Sequence, residues 1–289
     1  QANMTAIIFP GQGSQSQGMV KDFYENFKLA GPIFEEIEDY TKIDIRNIIF
    51  NNDNNKLNLT QFTQICIFSA SYVIFKIIEN EKGFENINFM MGHSLGEYTA
   101  LTCSNKLSLR ESSITLKKRG ELMNNAVLPN ETGMAALIGK DFNSIQEIID
   151  KNNLDLEIAN DNSNIQIVIS GMMDEILKNK NLFLSKNVKK FIILNVSAAF
   201  HSKFMIKAQK ELSEEIELLN FNENEIKIIS NFDAKSYNDN KIIKQNLQKQ
   251  MANRVNWTQS VKTLQDLGEK NIVEIGPSKV LSGLINRIS

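Results

Sequence analysis

Apolar positions along the chain fall into short continuous runs that alternate with longer stretches of helical spacing. Thr5 to Phe9 is an apolar run halted by Pro10, and it predicts a strand. Gly11-Gln12-Gly13-Ser14-Gln15 follows, and its glycines mark a loop. Helical spacing runs over residues 20–50, and Phe62 to Ile78 predicts a long buried helix. Ile87 to Met91 reads as a strand, followed by helices over Leu95–Asn105 and Leu109–Ala126.

The middle of the chain has a different rhythm. Strands are predicted over Met134–Ile138, Leu156–Ala159, Ile165–Ser170 and Phe191–Val196, with helices over Ser144–Lys151 and Asp174–Ser185. The resulting order βαββαβ is that of a ferredoxin-like unit. It predicts a small subdomain over residues 130–196 inserted into a core made of residues 4–129 and 197–289. The core resumes with a helix after His201, a strand at Ile226–Ser230, two helices, a strand at Ile272–Ile275 and a final helix. Strands alternating with helices predict an α/β core with a mostly parallel, helix-covered sheet.

Composition narrows the classes of function. The 289 residues carry a formal net charge of -2, which favours neither nucleic acid nor an anionic membrane as a partner. Cys66 and Cys103 form neither a disulfide framework nor a ligand spacing, and only two histidines are present, so no metal is expected. No apolar stretch is expected to span a membrane, and no signal peptide is read at the N-terminus, where Gln1-Ala2-Asn3 looks foreign to the chain. A soluble protein of a reducing compartment is expected. The asparagine-rich patch at Asn51–Asn55 reads as compositional bias.

The strongest chemical signal is Gly92-His93-Ser94-Leu95-Gly96 between a predicted strand and a predicted helix. G-x-S-x-G in that setting is the turn that lifts a serine hydroxyl clear of a sheet edge. Flanking glycines remove side chains that would clash, and the helix N-terminus offers free N–H groups to an oxyanion. Serine needs a base, and the choice is between His93 and His201. His93 precedes Ser94 directly on a tight turn and points elsewhere, so it is expected to pack behind the serine. His201 becomes the candidate base, although no acid to orient it can be named from spacing. Arg119 lies three residues after Leu116 and four before Met123, at the edge of an apolar helix stripe, where it needs a partner. That partner is either a carboxylate of the protein or an anionic ligand. The Gln12 loop lacks the lysine and length of a phosphate-binding loop.

Taken together, Phe9-Pro10-Gly11-Gln12-Gly13-Ser14-Gln15, Gly92-His93-Ser94-Leu95-Gly96-Glu97-Tyr98 and Arg119-Gly120 resemble the malonyl-CoA:acyl carrier protein transacylases of fatty acid synthesis. Further matches are Phe200-His201-Ser202, Gln250, Asn256-Trp257-Thr258 and Glu274-Ile275-Gly276-Pro277, so the resemblance runs nearly end to end. It implies a hydrolase-like core with a ferredoxin-like insert. By position it implies Ser94 as nucleophile and His201 as base, with the backbone N–H groups of Gln12 and Leu95 as oxyanion hole. It further implies that Arg119 grips the malonyl carboxylate and that the Gln250 backbone carbonyl orients His201, with Asn160 and Asn162 near the acyl group. Malonyl-CoA and acyl carrier protein are the implied partners, with no cofactor. A monomer is expected, cytoplasmic in a bacterium or stromal in a plastid. One departure is Ala199, where many members carry proline before the Phe-His pair, and it predicts a freer histidine loop. Phe200 favours malonyl over branched extender groups by the same resemblance. A polyketide-type acyltransferase and a serine thioesterase or esterase are the alternatives.

Overall fold

A computed structural model describes residues 5–285. Gln1-Ala2-Asn3, the first residue of the expected core and its last four lie outside the described residues. Strand β1 (Thr5–Phe9) is buried at every position, as a central parallel strand with helices on both faces must be. It pairs in parallel with β2 (Ile87–Gly92) on one side and, on the other, with the late strand β9 (Asn271–Glu274). Next to β2 lies β7 (Lys227–Ile229), in parallel, and at the edge β8 (Ser236–Tyr237), antiparallel. The order is β8-β7-β2-β1-β9. The two-residue edge strand β8 is absent from the sequence reading, since two residues carry no periodicity.

The second sheet holds β3 (Thr132–Ile138), β4 (Leu156–Ser163), β5 (Gln166–Met172) and β6 (Lys190–Ile193) in the order β4-β5-β3-β6, antiparallel throughout. Its side chains alternate. Ala135, Leu137, Ile167 and Ile169 face a cluster shared with Ile145, Ile149, Ile176 and Phe183 of its helices, whereas Met134, Ala136 and Val168 join the main core.

Several boundaries move. The helix expected over Asp174–Ser185 is two, Met173–Lys178 and Lys180–Ser185, divided at Asn179. Strand β4 runs on to Ser163 with register shifts, carrying Asn160 and Asn162 into the sheet. Strand β6 stops at Ile193, and Leu194, Asn195 and Val196 turn to line a cleft instead. The helix Thr60–Glu81 is, by length and composition, able to cross a membrane, which corrects the expectation that no stretch reaches that size. It is the central core helix, with Ile65, Phe68, Ala70 and Phe75 sealed in the main cluster, so its apolarity is used in packing.

Candidate active site

Parallel pairing of β1 with β2 brings the loop after one strand beside the turn after the other. Phe9 lies opposite Gly92, so Gln12 and Ser94 emerge at the same sheet edge. This is where ligands gather in open α/β sheets. The turn is too tight for side chains at its flanks. A Cβ on Gly92 would stand 1.9 Å from the Gly96 carbonyl, and one on Gly96 would stand 2.4 Å from the Phe9 oxygen. Ser94 has φ of 56°, left-handed backbone that a non-glycine residue adopts at a cost of about 1–3 kcal/mol. Asn231 holds that conformation: its Oδ1 accepts from the Ser94 N–H at 2.7 Å, and its Nδ2 donates to the Gly92 oxygen at 2.7 Å.

Ser94 Oγ lies 2.8 Å from His201 Nε2. His201 Nδ1 lies 3.1 Å from the backbone oxygens of both Gln250 and Asn253. Carbonyls only accept, so Nδ1 carries the hydrogen and Nε2 is free to accept the serine proton. Burial, aided by the positive charge of Arg119, lowers the His201 pKa to about 3 and keeps the ring neutral. Two carbonyls thus stand where a triad acid would, and no carboxylate is needed to set the tautomer.

The loop bearing His201 is tied on every side. The Ala199 N–H donates to Thr132 Oγ1 at 2.9 Å, a bond that proline could not make. The Phe200 oxygen accepts from Ser170 Oγ at 2.7 Å, and the His201 N–H donates to the Met251 oxygen at 3.1 Å. The freer loop expected from Ala199 is therefore corrected, because a hydrogen bond supplies the restraint.

Arg119 sits deeper than the stripe edge predicted, at 1 % exposure. No carboxylate bridges it among the described residues. Its Nη1 donates to Gln64 Oε1 at 2.8 Å, and its Nη2 to Gln250 Oε1 at 2.9 Å and Ser94 Oγ at 3.1 Å. The ring of Tyr98 lies 5.4 Å from the guanidinium carbon. Arg119 Nε has no partner, so this buried cation keeps donor capacity for an anion. The choice left open between internal ion pair and ligand resolves against the ion pair.

A cleft of about 470 Å³ exposes this edge and is lined by Gln12, Ser94, Leu95, Arg119, Asn160, Asn162 and His201 among others. The N–H groups flanking Leu95 are all engaged: Ser94 with Asn231, Gly96 with the His93 oxygen, Glu97 with the Ser94 oxygen. Among the described residues those of Leu95 and Gln12 have no acceptor. His93 Nε2 bonds Asn162 Oδ1 at 2.8 Å and its ring lies 5.4 Å from that of Trp257, while Ser94 Oγ meets His201 and Arg119 instead. Asn160 Nδ2 is 3.5 Å from the same nitrogen, and its Oδ1 is unpartnered at the cleft. Burial pushes both cysteine thiols up, Cys66 and Cys103 alike, and makes them poor nucleophiles. No group of three His, Cys, Asp or Glu side chains converges as metal ligands among the described residues. Gln64, Asn231 and Asn253 were not found by sequence reasoning. Each acts across more than fifty residues of chain, and no local pattern marks it.

The chain belongs to the acyl transferase domain family, whose model matches residues 6–287. It is 35% identical over 288 residues to a malonyl CoA-acyl carrier protein transacylase of Bacillus subtilis, covering 98% of this chain and 90% of that protein. A polyketide biosynthesis malonyl CoA-acyl carrier protein transacylase of the same organism, PksC, is 38% identical, with 99% and 97% covered. Among solved structures, the malonyl CoA-acyl carrier protein transacylase of Coxiella burnetii superposes with a TM-score of 0.95 at 31% identity, covering 100% of this chain and 92% of that one.

Proposed function

We propose that this acyltransferase moves a malonyl group from malonyl-CoA to the phosphopantetheine thiol of an acyl carrier protein through an ester on Ser94. The observation that carries the proposal is the placement of one serine oxygen between a neutral imidazole at 2.8 Å and a buried guanidinium at 3.1 Å. In the first half-reaction Ser94 Oγ attacks the thioester carbonyl while its proton passes to His201 Nε2. The carbonyl oxygen, now negative, is received by the free N–H groups of Gln12 and Leu95. Collapse breaks the C–S bond, and His201 returns its proton to the departing coenzyme A sulfur. The carrier thiol then attacks the ester by the same steps in reverse, and Ser94 is regenerated. Arg119 holds the terminal malonyl carboxylate through the dry phase of both steps, and Gln250 holds Arg119 and His201 at once. Asn160 and Asn162 border the acyl group. The chemistry is supplied by side chains and backbone without a cofactor.

The antiparallel order β4-β5-β3-β6, with its own core, supports reading residues 130–196 as a ferredoxin-like subdomain inserted into a hydrolase-like core of residues 4–129 and 197–289. Work in the bacterial cytoplasm, or the plastid stroma of a plastid-bearing source, and a monomeric state belong to the same proposal. The 38% identity to the polyketide relative supports a second reading of the partner, a carrier of a polyketide assembly line. Timed transfer from malonyl-CoA to purified holo carriers tests the proposal. Malonyl-carrier should accumulate faster than free malonate. Free malonate forming at the same rate with and without carrier would identify a thioesterase instead.

A further inference from the structure

Glu97 follows the serine turn and is completely buried, yet none of the steps above uses it. Its Oε1 accepts from the Asn231 N–H at 3.0 Å and from Gln250 Nε2 at 3.2 Å. Its Oε2 has no partner. A buried carboxyl left half satisfied is costly, so the interactions it does make need an account. Burial pushes this carboxyl up to about 7, against the Asn231 N–H, the Gln250 amide and the charge of Arg119, with Asp233 adding to the rise.

The two residues that Glu97 holds are the two that hold the site, Asn231 by its backbone and Gln250 by its amide. Asn231 fixes the left-handed Ser94 by accepting the Ser94 N–H on its Oδ1, and the Gln250 amide donates to the Ser94 oxygen at 2.8 Å. An amide side chain can turn over and exchange its oxygen for its nitrogen. At Gln250 the nitrogen faces Glu97 Oε1, the Ser94 oxygen and Asn231 Oδ1 at 3.4 Å, all of them acceptors. The oxygen is thereby turned toward Arg119 Nη2. Remove the acceptor at Glu97 and the amide loses part of the reason to keep its oxygen on the guanidinium.

We infer that Glu97 is a positioning residue: by accepting from Asn231 and Gln250 together, it locks the serine turn and aims the arginine at the same time. The inference rests on the malonyl reading of Arg119. It predicts two effects of different kinds. Loosening Asn231 and the Gln250 bond to the Ser94 oxygen slows acylation with any acyl-CoA, whereas turning the Gln250 oxygen off Arg119 adds a loss confined to substrates that carry a carboxylate.

The test is single-turnover acylation of Ser94 with malonyl-CoA and with acetyl-CoA, followed by intact mass. Glu97→Met fills the volume without an acceptor. Both rates should fall, and the malonyl-to-acetyl preference should drop by roughly tenfold, the scale of one disturbed hydrogen bond to a charged group. Glu97→Gln presents a carbonyl oxygen to the Asn231 N–H and should restore both the rates and the preference to within about threefold. A folded Glu97→Met enzyme with unchanged preference would reduce Glu97 to a packing element and overturn the inference. So would a Glu97→Gln enzyme as impaired as Glu97→Met. If Glu97→Met does not fold, Glu97→Asp withdraws the acceptor by one methylene and should shift the preference in the same direction. An unshifted preference there overturns the inference equally. Wild-type enzyme that forms no ester on Ser94 would instead count against the function proposed above.

Discussion

Gln12, Ser94 and Leu95 stand just beyond the C-terminal ends of two paired parallel strands, while Met134, Ala136 and Val168 enter the same cleft from within antiparallel strands. The first group presents polar atoms, the Ser94 hydroxyl and the Gln12 and Leu95 N–H groups, on supports that reach across long sequence distance, as Asn231 and Gln250 do to Ser94. The second is apolar and offers shape. Charge and proton traffic demand fixed directions, which a strand terminus with a tight turn provides. Selection by size needs only a packed wall, which a pleated sheet provides at every second residue. Damage to the polar side should therefore remove chemistry, and damage to the apolar side should change which acyl group is taken.

The largest effect is expected at the base. His201→Ala should slow acylation by roughly 10²–10⁴-fold, the range for a positioned general base, measured by rapid quench with malonyl-CoA. His93→Ala, which leaves the serine proton acceptor in place, should lower the melting temperature more than the rate. Arg119→Ala comes next. It should cut kcat/KM for malonyl-CoA at least about tenfold, since a hydrogen bond to a charged group contributes roughly 1.5–3 kcal/mol. Acetyl-CoA has no carboxylate, so its turnover should be unchanged or higher. Equal losses for both would remove Arg119 from the acyl site.

Crossing to the apolar lining, Val168→Ala opens space beside Ala136. The ratio of methylmalonyl to malonyl transfer should rise by up to about tenfold, the scale of one methylene in an apolar pocket. Malonyl transfer itself should move little. A Val168→Ala enzyme that loses malonyl transfer without gaining the branched group would break the division between the two sides. The smallest effect is expected at the seam. Thr132→Val deprives the buried Ala199 N–H of its acceptor and should cost about 1–3 kcal/mol of stability, read by denaturant titration. Acylation should stay within about threefold, because the Phe200 and His201 backbone bonds remain.

Local pattern carries much of this molecule. The run Thr5–Phe9, the strand–turn–helix around Ser94 and the alternation of β3 are readable because each depends on neighbours in sequence. Ser94 and Arg119 could be singled out for the same reason, one by a motif and one by its place on a helix stripe. Contacts that join distant segments leave no such trace. Gln64 meets Arg119 across 55 positions, and Gln250 meets Ser94 across 156. The support of the Ala199 loop by Thr132 crosses 67 positions, and so the resemblance, which sets Ala199 against proline, pointed to freedom where the folded chain has a hydrogen bond. Gln250 and the oxyanion N–H groups entered through family resemblance, and the free state of the Leu95 N–H became visible only once its neighbours' partners were in place.

The central claim is that Ser94 carries the acyl group between the two thiols. Brief treatment with malonyl-CoA, followed by intact mass and peptide mapping, tests it most directly. One malonyl group should appear on the peptide containing Ser94 and vanish in Ser94→Ala. A malonyl group on Cys66 or Cys103, or one that survives Ser94→Ala, would contradict the serine mechanism.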